Sequence, residues 1–223
     1  MRSFPLASEG YPLIGGALGA TVLAAIVALS TSGATAATFG ALAVLGLVAT
    51  GFLLNFFRDP ERFPPVGRSL VISPADGRVL IAEPAVEEGR FLHTRAAQVS
   101  IFMSPVDVHV NRTPIAGEVT GVHYHPGQYL AAFSDKASLD NEQNAVVMRS
   151  ADGRSLVFVQ IAGFLARRIV CRLRVGDRCD RGDRMGMIKL GSRVDIFVAG
   201  DVELRVRPGD RVRAGETVLG ELR

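Results

Sequence analysis

The sequence predicts a mainly β globular domain (β-rich α+β) behind an N-terminal hairpin of two apolar helices. Three observations predict it. From Gly10 to Phe57 there is no Asp, Glu, Lys or Arg. After Arg58 the chain breaks into short runs rich in Val, Ile and Phe, among them "GRVLIAEP", "AAQVSIFMS", "GEVTGVHYH", "NAVVMRS" and "SLVFVQIAG", each bounded by Gly, Pro, Asp or Ser. Such spacing is that of a mostly antiparallel sheet. Finally, "RVGDRCDRG" (174–182) is echoed by "RPGDRVRAG" (207–215), each followed by an apolar run.

A spanning helix needs about 20 apolar residues, and the uncharged run holds two such lengths, 12–29 and 36–57, parted by "STSGAT" at 30–35. The rival reading is a cleaved signal peptide, with Arg2 as its basic end, an apolar stretch ending at Leu29, and Ala34-Thr35-Ala36 as the cleavage site. Against it, Glu9 offsets Arg2, and a second apolar run would remain. The connector is uncharged whereas Arg58, Arg62 and Arg68 come after the second run, so the positive-inside rule favours transmembrane helices with both ends in the cytoplasm. "RDPERFPP" (58–65) opens a linker over 58–68, because a residue before proline is pushed out of helical geometry. The globular domain then covers 69–223, and "QYLAAFSDKA" is its best short helix candidate.

Arg2 and Glu9 are the only charges before Arg58, so the net charge of +3 belongs to the chain from Arg58 onward. With no Lys/Arg run and little aromatic interleaving, nucleic acid is not an expected partner. Nearly all the positive charge is Arg, which suits phosphate contact at a lipid surface; a solvated surface is the plain alternative for any one of them. Cys171 and Cys179 form neither a zinc spacing nor a CxxC pair. They read as reduced residues, and no metal is expected.

Each copy of the repeat reads as strand, Gly-Asp turn, strand. This resembles the lipoyl-like hairpins of carrier domains, in which a Lys at a tight turn bears the prosthetic group. Lys189 lacks the Met-Lys-Met or Asp-Lys-Ala setting of those turns, which argues against a carrier.

"KLGSRVDIF" (189–197) is the odd stretch. A Gly-Ser pair stands where an alternating strand through Val194, Ile196 and Val198 would continue, and Gly weakens a strand interior. A bulge or turn is the ordinary explanation. The chemical alternative is that Gly191 permits backbone strain and the Ser192 hydroxyl reaches the Gly191 carbonyl. An N-to-O acyl shift, elimination and hydrolysis would then leave a pyruvoyl group at the new N-terminus. Such a ketone forms a Schiff base with an amine and accepts the electrons of a departing carboxylate.

The surrounding motifs favour the alternative. "NFFRDPER" (55–62), "SPADGRV" (73–79), "FMSPVDVHVNRTPIAGEV" (102–119), "DKASLDNEQN" (135–144), "IAGFLARRI" (161–169) and "RGDRMGMIKLGSRVDIF" (181–197) resemble the phosphatidylserine decarboxylase family, in its short membrane-anchored, archaeal-type branch. The resemblance implies a proenzyme cut between Gly191 and Ser192 into a β chain of 1–191 and an α chain of 192–223 that remain partners. Ser192 becomes the pyruvoyl cofactor, phosphatidylserine in the membrane is the substrate, and phosphatidylethanolamine is the product. The implied location is a bacterial inner membrane, with the catalytic domain on its cytoplasmic side. A homo-oligomer is left open.

Site residues come from the same resemblance. Asp76 in "PADG" suits an Asx turn by residue type, while the family pattern gives it to the self-cleavage apparatus. His109 in "DVHVN" becomes a proton donor or acceptor beside the pyruvoyl, a role imidazole suits. The longer branch carries a second histidine where this chain has Arg112, and arginine cannot act as a base. The group that takes the Ser192 proton is therefore open: His109 serves both steps, or strain and Asp76 suffice. Substrate-binding candidates are Arg167, Arg168, Arg112 and His125. His123 and His125 alternate on one strand face without further metal ligands. Gln143 stands where the family often has Arg, which puts one charged lipid contact in question. Two rival functions remain: a membrane-anchored adaptor without chemistry, and a decarboxylase of another serine-containing lipid.

Overall fold

A computed structural model of the chain describes residues 6–67, 69–128, 141–163, 168–189 and 192–223. The chain divides after Glu61 into two compact units. In the first, α1 (Tyr11–Ser30) and α2 (Gly33–Phe56) pack against each other. Both are long and apolar enough to cross a bilayer. Several of their hydroxyls bond within the helices: Thr21 donates to the Ala17 carbonyl at 2.7 Å, Thr38 to Ala34 at 3.0 Å and Thr50 to Gly46 at 2.8 Å. Such pairing is what a medium without water requires. Gly46 gives the closest approach, since a Cβ there would strike the Thr21 side chain. The break between the helices is shorter than "STSGAT" suggests: only Thr31 and Ser32 are non-helical, and Gly33 opens α2 with φ of +62°.

The second unit, from Arg62, is β-rich. Its strands are β1 (Leu70–Ile72), β2 (Gly77–Glu88), β3 (Thr94–Met103), β4 (Val110–Arg112), β5 (Gly117–His125), β6 (Gln143–Arg149) and β7 (Ser155–Ala162), followed by β8 (Ile169–Cys171), β9 (Arg178–Cys179), β10 (Arg184–Ile188), β11 (Ser192–Ala199), β12 (Val202–Leu204), β13 (Arg211–Val212) and β14 (Val218–Leu222). Eight form one sheet in the order β13-β2-β3-β11-β7-β6-β5-β9, and the rest form two three-stranded sheets, β1-β14-β12 and β4-β10-β8. The pairings among these strands are antiparallel. The "QYLAAFSDKA" helix candidate lies, beyond Gln128, outside the described residues.

Alternation explains the layers. On one face of the large sheet, Val194, Ile196 and Val198 of β11 join Ile101, Val99, Phe158 and Leu156 in the main core, which Val71, Leu219, Met185 and Ile188 of the small sheets complete. Burying each such side chain stabilises the fold by about 1.5–3 kcal/mol. The opposite face holds a smaller cluster of Ala145, Val157, Val159 and Ile161, with Phe91 and Phe197 against it. Beside it Arg193 and Asp195 form a buried ion pair at 2.6 Å, and Arg193 also donates to Ser100 at 3.0 Å.

The two copies of the "GDR" repeat dock alike at opposite ends of the large sheet. The Asp177 carbonyl accepts from Val119 N–H and Gly176 N–H donates to Val119; likewise the Asp210 carbonyl accepts from Val79 and Gly209 donates to Val79. Gly182 N–H reaches the Thr113 carbonyl as Gly215 N–H reaches Ser73. The partners are themselves a repeat, "SPADGRV" (73–79) and "TPIAGEV" (113–119). The two meet reciprocally, Ile72 N–H on the Pro114 carbonyl at 3.0 Å and Arg112 N–H on Pro74 at 2.9 Å.

Removing one partner of a buried ion pair strands a charge. Asp195→Ala should therefore lose about 3–5 kcal/mol of unfolding free energy in a denaturant titration of the detergent-solubilised chain. A loss below about 1 kcal/mol would mean that Arg193 is held by its other contacts instead.

Candidate active site

Ser192 is the first residue of the central strand β11, buried between Met103 on β3 and Ala162 on β7. Its Oγ donates to Met103 Sδ at 3.4 Å. The same sulfur lies 3.7 Å from Asn111 Nδ2, and a line of buried amides stands behind it. Gln160 Nε2 donates to Asn111 Oδ1 at 2.9 Å, and Asn144 Nδ2 to Gln160 Oε1 at 3.2 Å. Register puts them on the Ser192 face: Gln160 is opposite Val194, and Asn144 is opposite Gln160. The end of β7 beside Ser192 is held by Asn141, whose Nδ2 donates to the Ala162 carbonyl at 2.7 Å.

Asp76 caps the turn before β2. Its Oδ1 accepts from Ala214 N–H at 2.7 Å, and its Oδ2 pairs with Arg62 at 2.9 Å, whose other end meets Glu216 at 3.0 Å. Burial pushes the Asp76 carboxyl pKa up; the Ala214 bond and the Arg62 charge pull it down, the neighbouring Asp107 charge adds to the rise, and the net direction is upward. Gly77 comes next because a Cβ there would run into the Phe102 carbonyl. His109 is fully buried just before β4, with Nδ1 3.0 Å from the Asp107 carbonyl. A carbonyl only accepts, so Nδ1 carries the proton and Nε2 is the basic nitrogen of the neutral ring. The turn before it is fixed by Asp107, whose Oδ2 accepts from Ser104 N–H at 2.9 Å. The Asp76 turn and the β4 segment meet at the Pro74 carbonyl, which takes both Arg112 N–H and, at 3.5 Å, Asn111 Nδ2.

The remaining candidates are scattered. Arg112 is buried and donates to the Gly182 carbonyl at 2.9 Å, serving the turn between β9 and β10. His125 pairs across Gln143 and Ile161 with Arg193 and so lies on the opposite face of the sheet from Ser192. There His123 stacks against Phe91 at 5.6 Å. Gln143 accepts from Arg90 at 3.1 Å, so a guanidinium does reach this position, from elsewhere in the chain. The exposed Arg168 accepts on its carbonyl from Lys189 N–H at 3.1 Å, beside the segment that leads to the Gly-Ser pair. Gly191 and Arg167 lie outside the described residues. The sequence does not single out Met103, Asn111, Gln160 or Asn144. The one signal, for the three amides, is a polar residue at a core-facing position, as Gln160 is in "SLVFVQIAG".

The family model described as phosphatidylserine decarboxylase matches residues 49–220. The chain belongs to the phosphatidylserine decarboxylase family. It is 46% identical to the phosphatidylserine decarboxylase proenzyme of Symbiobacterium thermophilum, covering 100% of this chain and 98% of that one. Identity is 45% with the protein of the same description from Syntrophotalea carbinolica (98% and 97% covered) and 43% with that from Desulfotalea psychrophila (98% and 97%).

The raised Asp76 pKa has a stability consequence of fixed sign. A carboxyl whose folded pKa exceeds its unfolded value stabilises the fold at pH below the unfolded value, and that contribution is lost as pH rises through the folded one. Asp76→Asn keeps the acceptor for Ala214 without the charge. It should therefore unfold at higher denaturant than wild type at pH 8, with the gap closing towards pH 4. A gap that widens on acidification would mean that Arg62 outweighs burial.

Proposed function

We infer that this chain is the precursor of a phosphatidylserine decarboxylase that cuts its own backbone between Gly191 and Ser192. The carrying observation is Ser192 itself, buried at the head of the central strand in a member of this family. In the reaction we assign, Ser192 Oγ adds to the Gly191 carbonyl carbon and the peptide nitrogen leaves, giving an ester. Loss of the residue 192 α-proton then expels the Gly191 carboxylate, and hydrolysis of the resulting enamine releases ammonia and leaves a ketone. A group made from Ser192's own atoms fits its setting, since β3 and β7 wall it from water. The pyruvoyl group supplies an electron sink that takes up the pair released as carboxylate leaves.

The protein's own residues bind and move protons. Asp76 we assign to the cutting step. His109 we assign to decarboxylation, where the carbon that loses CO2 must regain a proton and a neutral imidazole can relay one. Arg168, next to the reacting segment, is our candidate for the headgroup phosphate. Residues 1–57 act as the membrane anchor and 58–68 as the linker. The domain from 69 works at the cytoplasmic face, because a diacyl lipid stays in the bilayer and the enzyme must come to it. The lipoyl-like repeats serve as scaffold.

Intact mass of the purified membrane protein under denaturing conditions tests this reading. Two chains are expected, the smaller one beginning at position 192 with a pyruvoyl in place of serine, and Ser192→Ala should remain whole. Asp76→Ala should leave mainly uncut chain, and His109→Ala should cut yet turn over phosphatidylserine slowly. A wild-type chain that stays whole and inactive would favour a non-catalytic adaptor; cut chains that act on another serine lipid and spare phosphatidylserine would change the substrate alone.

A further inference from the structure

Three amides, Asn144, Gln160 and Asn111, are buried in strands where alternation calls for apolar residues. Burying an amide is costly unless it is hydrogen-bonded, and these bond to one another in a line that ends on Met103 Sδ. Their orientation is fixed from one end. The Pro74 carbonyl, 3.5 Å from the Asn111 amide, only accepts, so the atom facing it is Nδ2. Asn111 Oδ1 then faces Gln160 and demands an N–H from it. Gln160 Oε1 in turn faces Asn144 and takes an N–H. Every amide in the line donates in the same direction, towards Ser192, an arrangement in which each bond polarises the next.

We propose that Asn144, Gln160 and Asn111 form a positioning relay that, through the thioether of Met103, sets the Ser192 hydroxyl for the cut. This rests on the decarboxylase reading above. Met103 Sδ is the shared acceptor of Ser192 O–H at 3.4 Å and Asn111 N–H at 3.7 Å. A thioether is a weak acceptor, so it orients the hydroxyl without holding the proton that must leave. The relay contains no ionisable group. It therefore works alike across the pH range, while Asp76 and His109 carry the proton traffic.

The test exploits that neutrality. Gln160→Glu preserves shape, but an ionised carboxylate only accepts. Asn111 must then turn its NH2 towards position 160 and present its oxygen to the sulfur. With the full chain synthesised cell-free into lipid nanodiscs and the cut followed by gel, Gln160→Glu should slow cutting at pH 8 by about 10-fold, the scale of a misplaced reacting group. On acidification the introduced carboxyl protonates. Its O–H then donates to Asn111 and its carbonyl accepts from Asn144, so cutting should recover towards the wild-type rate at the same pH. A merely structural defect would show no such recovery. Met103→Leu, which keeps volume and removes the acceptor, should slow cutting at every pH. Wild-type speed in Gln160→Glu at pH 8, a slowed but folded variant with no low-pH recovery, or wild-type speed in Met103→Leu would each overturn the relay while leaving the decarboxylase reading intact. A wild-type chain that does not cut in the same series removes both.

Discussion

β11 is hydrogen-bonded along both edges, from Ser192 to Ala199 against β3 and from Ser192 to Val198 against β7, and the rest of the structure depends on that. A peptide bond can be broken at the head of such a strand while both ladders from Arg193 onward stay paired. The piece beyond the break remains a central strand, with Val194, Ile196 and Val198 in the main core and Arg193 and Asp195 tied to Ser100 on the other face. Its later segments add separate attachments: β13 pairs with β2 at one end of the large sheet, and β14 lies between β1 and β12. A chain cut before Ser192 therefore stays assembled through its whole length. The same embedding keeps Ser192 away from solvent, where weak contacts such as O–H to sulfur retain their geometry.

Two polar systems of different character meet at the Asp76 turn, where Asn111 Nδ2 lies 3.5 Å from the Pro74 carbonyl. The amide line on β6, β7 and β4 is neutral. The Asp76 system is charged, and its environment pulls in two directions, burial against ionisation and Arg62 with Ala214 N–H for it. Arg62 comes from "RDPER", just beyond the apolar helices in sequence, and links Asp76 to Glu216. Arg62, the first residue of the second unit, is thus part of the electrostatic frame around Asp76.

Local signals carried much of this in the sequence and long-range register carried the rest. The two helices are legible from a charge-free run, and the strands from alternation and turn residues, because both depend on neighbours a few residues apart. The Gly-Ser interruption is legible as an anomaly for the same reason. What sequence could not convey is which strand lies beside which. His125 looks like a pocket residue until the register through Gln143 and Ile161 puts it behind the sheet. Arg112 looks like a cation for a lipid headgroup until the fold brings the Gly182 carbonyl to it. Gln160 and Asn144 look like tolerated polar residues until β6, β7 and β4 align their amides. A family pattern marks Asp76 and His109 as important, but Arg62, Ala214 and the Asp107 carbonyl, which define their electrostatics, are recruited from 14 to 138 residues away or from a turn two residues back.

The paired repeats show one frame with a carboxylate at one end only. "SPADGRV" and "TPIAGEV" dock the two "GDR" hairpins with the same hydrogen bonds, yet Asp76 in the first matches Ala116 in the second, and Ala214 of one hairpin matches Arg181 of the other. At the first end a backbone N–H meets a carboxylate. At the second, Arg181 turns away to the carbonyls of Pro65, Gly67 and Leu70. Structure alone would be served by either end, since the turns close equally well. The carboxylate is found where the docking hairpin, 207–215, lies on the far side of the Gly-Ser bond from Asp76. The Ala214–Asp76 bond would consequently join the two products of a cut before residue 192, and the charged group around Asp76 would be assembled from both of them.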